Sequence, residues 1–169
     1  MARNYGVLHS CWADVDLDVN SEDVGGLVGF CGGGQITQCC SIGKVEGNGC
    51  NGGLIGRLYE GQVYACYSTC DVSRTAGDYS GGLVGKNDGD ILACYSTGCI
   101  IERVDTHYSG GLVGENNGTI SQCYSIEGLV GDNNGSVEYS YWDMQAGNMT
   151  TSDAGQGLTT AQMLFLIHI

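Results

Sequence analysis

GGLVG at residues 25–29 returns as GGLIG at 52–56, as GGLVG at 81–85 and 110–114, and in the shortened form GLVG at 128–131. Each copy is trailed by a Gly/Asn-rich turn, an Ile or Val, and then Cys-Tyr-Ser or a variant of it, so the chain is one unit written five times. A period of 27 to 29 residues with two or three short apolar segments and glycine turns makes one coil of a solenoid per repeat. The repeats occupy residues 1–143, and residues 144–169 are a linker and a C-terminal cap. The expected fold is therefore all-β, a parallel β-helix of about five coils in which strands stack at about 4.8 Å.

Composition narrows the partners. Thirty glycines, no proline and ten tyrosines among 169 residues fit many short strands joined by tight turns. A formal charge of -13 argues against nucleic acid, whose phosphates are bound by clustered Lys and Arg, and leaves cations as the natural small partners. No apolar run approaches the roughly 18 residues of a membrane span, and the opening residues carry no signal-peptide pattern.

The cysteines are read by position rather than number. Cys11, Cys39, Cys66, Cys94 and Cys123 recur at one point of the repeat, which predicts a stacked column of reduced thiols acting as small buried hydrophobes. Cys31, Cys40, Cys50, Cys70 and Cys99 follow no such rule, and the sequence leaves their disulfide state open. A geometric difficulty accompanies the column: Ile91 and Cys94 are three apart, as are their equivalents, and on one unbroken strand they would face opposite ways. Either a bend or bulge separates them, or the cysteines lie on an outer layer and Tyr67, Tyr95 and Tyr124 point inward.

Gly6 to Leu17 aligns on the middle of a later repeat, so the chain enters the pattern partway through, as a fragment or excised module would. Asp14, Asp16 and Asp18 alternate with Val15, Leu17 and Val19, the period of a strand with one acidic face. An EF-hand loop would need glycine where Val19 stands and glutamate where Gly25 stands. The first two repeats carry one extra residue between the motif and the following Ile36 or Val63, an insertion expected in a turn. Asn87, Asn116 and Asn133 fall in register and predict an asparagine ladder. The fourth repeat runs from Glu127 straight into Gly128, omitting a strand and predicting a smaller coil with a notch beside it. Thr159 with Gln162 three residues on is a capping box, so a short helix begins there, and the apolar tail after it is expected to cover the open end of the stack.

No metalloprotease, nucleophile-elbow or phosphate-loop motif is present. His107 beside Asp105 is the one candidate for a catalytic base. Oxygen ligands are the recurrent chemistry: Asp88, Glu115 and Asp132 lie in neighbouring turns, Glu115 and Asp132 would repel unless a cation or Lys86 sits by them, and calcium takes six to eight such oxygens. A bound Ca2+ could in turn activate a water for hydrolysis of an ester, lactone or glycoside. A third reading is capture of a carbohydrate or other small ligand on the flat face bearing the tyrosine column.

The pattern GGLVGxNxGxIxxCYSTG at residues 81–98, its near copy at 110–125, and the ending SYWD followed by GLTTAQM resemble the GLUG repeat of bacterial surface proteins. The resemblance spans roughly residues 6 to 163 and implies a right-handed parallel β-helix from an extracellular or cell-surface protein, acting in adhesion or as a structural scaffold, with no catalytic residues to carry over. The alternative function is a calcium-dependent hydrolase or lyase.

Overall fold

The computed structural model describes residues 2–74, 79–101, 108–147 and 151–167. They form a parallel β-solenoid with three sheets along its length and one short C-terminal helix. The third repeat shows one circuit. Tyr79–Gly81 lies in the smallest sheet, Val84–Asn87 and Asp90–Leu92 in a second that we call the GLVG sheet, and Tyr95–Ser96 and Ile100–Ile101 in a third, the tyrosine sheet. Val28, Ile55, Val84, Val113 and Val130 stand one above another in register. The expectation of about five coils becomes about four, because five copies of a motif enclose four full turns, with partial turns before the first copy and after the last.

Each element of the motif has a packing reason. Leu54, Leu83, Leu112 and Leu129 fill the corner, and the Val column, with Ile36, Val63, Ile91 and Ile120, fills the space beneath the GLVG sheet. The paired glycines bring this corner against its neighbours: a Cβ on Gly82 would lie 2.2 Å from the Gly111 carbonyl oxygen and 2.3 Å from Ser96 Oγ. A second, smaller apolar cluster of Val24, Val45, Cys70, Val72 and Ile100 lies under the far half of the tyrosine sheet.

The three-residue spacing between Ile91 and Cys94 is resolved by a bend. Ser10, Gln38, Ala65, Ala93, Gln122 and Tyr139, each immediately before the column position, all have φ between 47° and 55°. One left-handed residue turns the chain by a corner, so both Ile91 and Cys94 face inward. The cysteine column is the buried one and the tyrosine column the outer one: Tyr67, Tyr95 and Tyr124 stack with centroids 5.0 and 4.9 Å apart and planes within 4°. All ten cysteines are free thiols.

The column thiols are hydrogen-bonded, which the reading of them as small hydrophobes omits. The amide N–H of Cys39, Cys66 and Cys94 donates to the sulfur one turn on, at 3.3 to 3.4 Å, and each of those sulfurs donates to the carbonyl two residues before it. Ser140 ends the series, accepting from Cys123 N at 3.1 Å and donating to Glu138 O at 2.8 Å. The bend takes these backbone groups out of the strand ladder, and the side chain supplies their partners. Because alanine in the left-handed region carries a steric cost that glycine lacks, Ala93→Gly is expected to stabilise the protein by up to about 1 kcal/mol, read as a raised urea midpoint.

The extra residues of the first two repeats are taken up within strands rather than in turns. Val28–Thr37 and Ile55–Tyr64 run unbroken for ten residues, with register shifts around Gly32. Gly34 makes the bulge feasible at φ +88°, where a Cβ would lie 2.0 Å from Gly6 O.

At the short fourth repeat, Glu127 takes the place of the missing strand. It is fully buried and its Oε2 accepts the Ile100 amide at 3.1 Å, so an acceptor from a side chain replaces one from a backbone. Beyond Asp143 the chain returns as Gln156–Leu158, which pairs with Tyr141–Asp143 and closes that end of the tyrosine sheet. The helix Thr160–Ile167 starts on the expected capping box, Gln162 Oε1 accepting from Thr159 N at 2.9 Å and Thr159 Oγ1 from Gln162 N at 3.3 Å. The tail covers less than expected: Met163 is buried, whereas Leu164, Phe165 and Leu166 are exposed.

Candidate functional site, a charged seam between two sheets

Two ion pairs lie where the smallest sheet meets the GLVG sheet. Asp23, Cys50 and Tyr79 stand in register on the smallest sheet. Phe30, Arg57, Lys86, Glu115 and Asp132 stand in register on the GLVG sheet. Across the seam Arg57 Nε lies 3.3 Å from Asp23 Oδ1, and Arg57 Nη2 donates to Cys50 Sγ at 3.4 Å. One turn on, Lys86 Nζ lies 2.5 Å from Glu115 Oε2 and 5.2 Å above the Tyr79 ring, which itself meets the Tyr108 ring at 5.3 Å.

Burial and pairing shift four groups of the seam, Asp23, Cys50, Arg57 and Lys86. Burial pushes Asp23 above its ordinary value, with Arg57 opposing, and burial likewise raises Cys50 against the same guanidinium. Arg57 is held still more firmly protonated, chiefly by its hydrogen bond to Cys50. For Lys86 burial acts downward, but the hydrogen bond and charge of Glu115, with the charges of Asp88 and Tyr79, prevail and raise it. A protonated thiol and an ion-paired lysine supply neither an activated nucleophile nor a base near neutrality.

The pair has a predictable pH signature. A lysine whose folded pKa is raised adds stability that is fully present below its unfolded value and is lost as pH rises through the folded one. Lys86→Met should therefore cost about 1 kcal/mol, reduced from a buried pair by the partial exposure of Lys86. The melting-temperature difference between the variant and the parent should be flat from pH 6 to 9 and shrink only above about pH 10.4.

The sequence-expected ligands are divided among different partners. Glu115 is flanked in register by Lys86 on one side and Asp132 on the other, and Lys86 is the partner it takes. Asp132 accepts from Asn134 Nδ2 at 3.3 Å. Asp88 accepts from Asn117 Nδ2 at 2.7 Å, in the neighbouring turn region. His107 and Asp105 lie outside the described residues. Among the described residues no three His, Cys, Asp or Glu side chains are grouped as a metal site requires, and no helix is long and apolar enough to cross a membrane.

Beside the seam runs the asparagine ladder. Asn87 Nδ2 donates to Asn116 Oδ1 at 2.7 Å and Asn116 Nδ2 to Asn133 Oδ1 at 2.8 Å. Asn87 and Asn116 are fully buried. Sequence reading missed Asp23, Cys50, Arg57 and Tyr79 as a group, although a signal existed. Asp23, Cys50, Tyr79 and Tyr108 each stand two residues before the first glycine of their motif, and Arg57, Lys86, Glu115 and Asp132 each two residues after its Val or Ile. No protein-family model matches the chain, and neither the curated proteins nor the solved structures contain a significant match to it.

Proposed function

We propose that the chain is a structural scaffold or adhesion module of a bacterial surface or secreted protein, of the GLUG-repeat kind. The observation that carries this reading is the direction in which polar side chains are used. Asparagine bonds asparagine one turn on, thiol accepts from the amide of the preceding turn, and Lys86 pairs with Glu115 in the next turn. Catalysis needs side chains converging on one point; a rod that resists pulling or presents a flat face needs them joined along its axis.

The test uses metal-stripped protein, a calcium titration by calorimetry, and a panel of ester, lactone and glycoside substrates with and without Ca2+. A scaffold gives no turnover in any condition and an unfolding midpoint unchanged by EDTA. Calcium binding below about millimolar that switches on turnover would overturn this reading in favour of a calcium-dependent hydrolase or lyase, with Glu115, Asp132 and Asp88 the first residues to change.

A further inference from the structure

Polar columns on this rod are bonded along its axis: Asn87 to Asn116 and Asn133, Asp88 to Asn117 and Asn134, Lys86 to Glu115, Gln35 to Gln62. One patch of the GLVG sheet departs from that pattern. On its outer surface Gln62, Asp90 and Thr119 stand in register, and two residues further along the same strands Tyr64, Leu92 and Ser121 form a second column. Among the described residues the side chains of Tyr64, Asp90, Thr119 and Ser121 make no hydrogen bond. Between the two columns, above the inward-facing Val63 and Ile91, lies a cavity of about 400 Å³. It sits at mid-length of the rod, where Val28–Thr37 on one side and Ser136–Glu138 on the other continue the sheet. Its walls differ in chemistry. One carries an amide, a carboxylate and a hydroxyl, the other the ring of Tyr64, 48% exposed, and the side chain of Leu92, and no cationic side chain lines the cavity.

We infer that this groove binds a neutral, extended glycan of the β-1,4-linked kind, laid along the axis of the rod. A pyranose ring has an apolar C–H face and a rim of hydroxyls. The face suits Tyr64 and Leu92, and the rim suits the Asp90 carboxylate, the Gln62 amide and the hydroxyls of Thr119 and Ser121. A β-1,4-linked chain is a flat ribbon whose advance per sugar is close to the coil spacing of about 4.8 Å, so successive sugars meet successive coils. An anionic glycan would face Asp90 with no cation to offset it. An extended polypeptide would find no free backbone edge, because every strand beneath the groove is paired on both sides. The tyrosine ladder is the poorer platform, since the rings of Tyr67, Tyr95 and Tyr124 are stacked on one another.

The probe is cellohexaose, titrated by calorimetry into the whole chain and mapped by amide chemical shifts. Expected are saturable binding insensitive to salt and EDTA, and shifts centred on residues 62–64, Asp90–Leu92 and Thr119–Ser121. Tyr64→Ala and Asp90→Ala should each lower affinity by about tenfold. Both positions are exposed, and circular dichroism and melting curves check that the variants fold. Tyr67→Ser, on the tyrosine sheet, should bind as the parent does. Maltohexaose, whose α-linkage curls the chain, and an anionic oligogalacturonate should bind weaker by about tenfold or more. Absence of binding, undiminished binding by either groove variant, shifts on the tyrosine sheet with loss in Tyr67→Ser, or equal binding of the curled or the anionic chain would overturn the inference. The groove and the scaffold function fail separately: cleavage of cellohexaose at the groove would uphold the site and overturn the scaffold, and absence of binding would overturn the site alone.

Discussion

Replacing Cys94 with valine is expected to destabilise the protein by about 2 kcal/mol, and replacing it with serine by distinctly less. Cys94 Sγ accepts the Cys66 amide at 3.4 Å and donates to Leu92 O at 3.2 Å, in a setting where both Cys66 and Cys94 are buried. Valine fills the space but leaves a buried N–H without an acceptor, and a group stranded in that way carries its full desolvation cost, about 1 to 3 kcal/mol. Serine has the same two-way bonding capacity, and the chain already uses it at this position in Ser140. Urea midpoints give the ranking, and amide exchange at Cys66 gives the cause: the rate should rise in the valine variant and hold in the serine variant. The opposite ranking, valine milder than serine, would mean that the column is held by apolar packing alone. Cys39 and Cys94 should also resist alkylation in the folded state, since burial pushes Cys39 up to about 11 and contacts with Cys123 and Cys66, together with burial, hold Cys94 well above its ordinary value.

This column marks where the sequence was legible and where it was not. Periodicity alone placed Cys39, Cys66, Cys94 and Cys123 in one column and predicted the Asn87–Asn116–Asn133 ladder, because a stacked fold converts equal spacing into direct contact. The acidic face of Trp12–Asp18 and the capping box at Thr159 were legible for a related reason, each being a local pattern with one geometric meaning. The choice between an inward cysteine and an inward tyrosine was not, since it turns on the backbone of Ala93 and its equivalents. Those positions hold Ser, Gln, Ala or Tyr rather than the glycine or asparagine that usually announces a left-handed residue. The charged seam was half legible. Glu115 and Asp132 were placed side by side from the repeat, but Arg57 and Asp23 meet across two sheets whose mutual angle no spacing encodes. Glu127 was hidden for the opposite reason. It belongs to the one repeat that breaks the period, so the neighbouring repeats offer nothing to align with it.

That break supplies the largest expected effect of a single substitution. Glu127→Ala should cost about 3 kcal/mol, combining the loss of a hydrogen bond to a buried amide with the space left by a fully buried side chain. The side chain is wedged between two backbones: a Cβ on Gly111 would lie 2.8 Å from Glu127 Cβ, and one on Gly147 would lie 2.3 Å from Glu127 Cγ. It therefore joins the full-sized coil before it to the chain that returns after Asp143. In a stack where each coil touches only its neighbours, losing one junction uncouples what lies beyond it and spares what lies before. Glu127→Ala should accordingly speed amide exchange in Tyr141–Asp143 and Gln156–Leu158 while leaving Ile55–Tyr64 protected, and thermal unfolding should broaden or split. Glu127→Gln, which keeps an acceptor of the same reach for the Ile100 amide, should recover most of the loss. An alanine variant within about 0.5 kcal/mol of the parent, or one whose exchange rises evenly along the whole rod, would show that the short coil is held by its backbone pairing and not by this carboxylate.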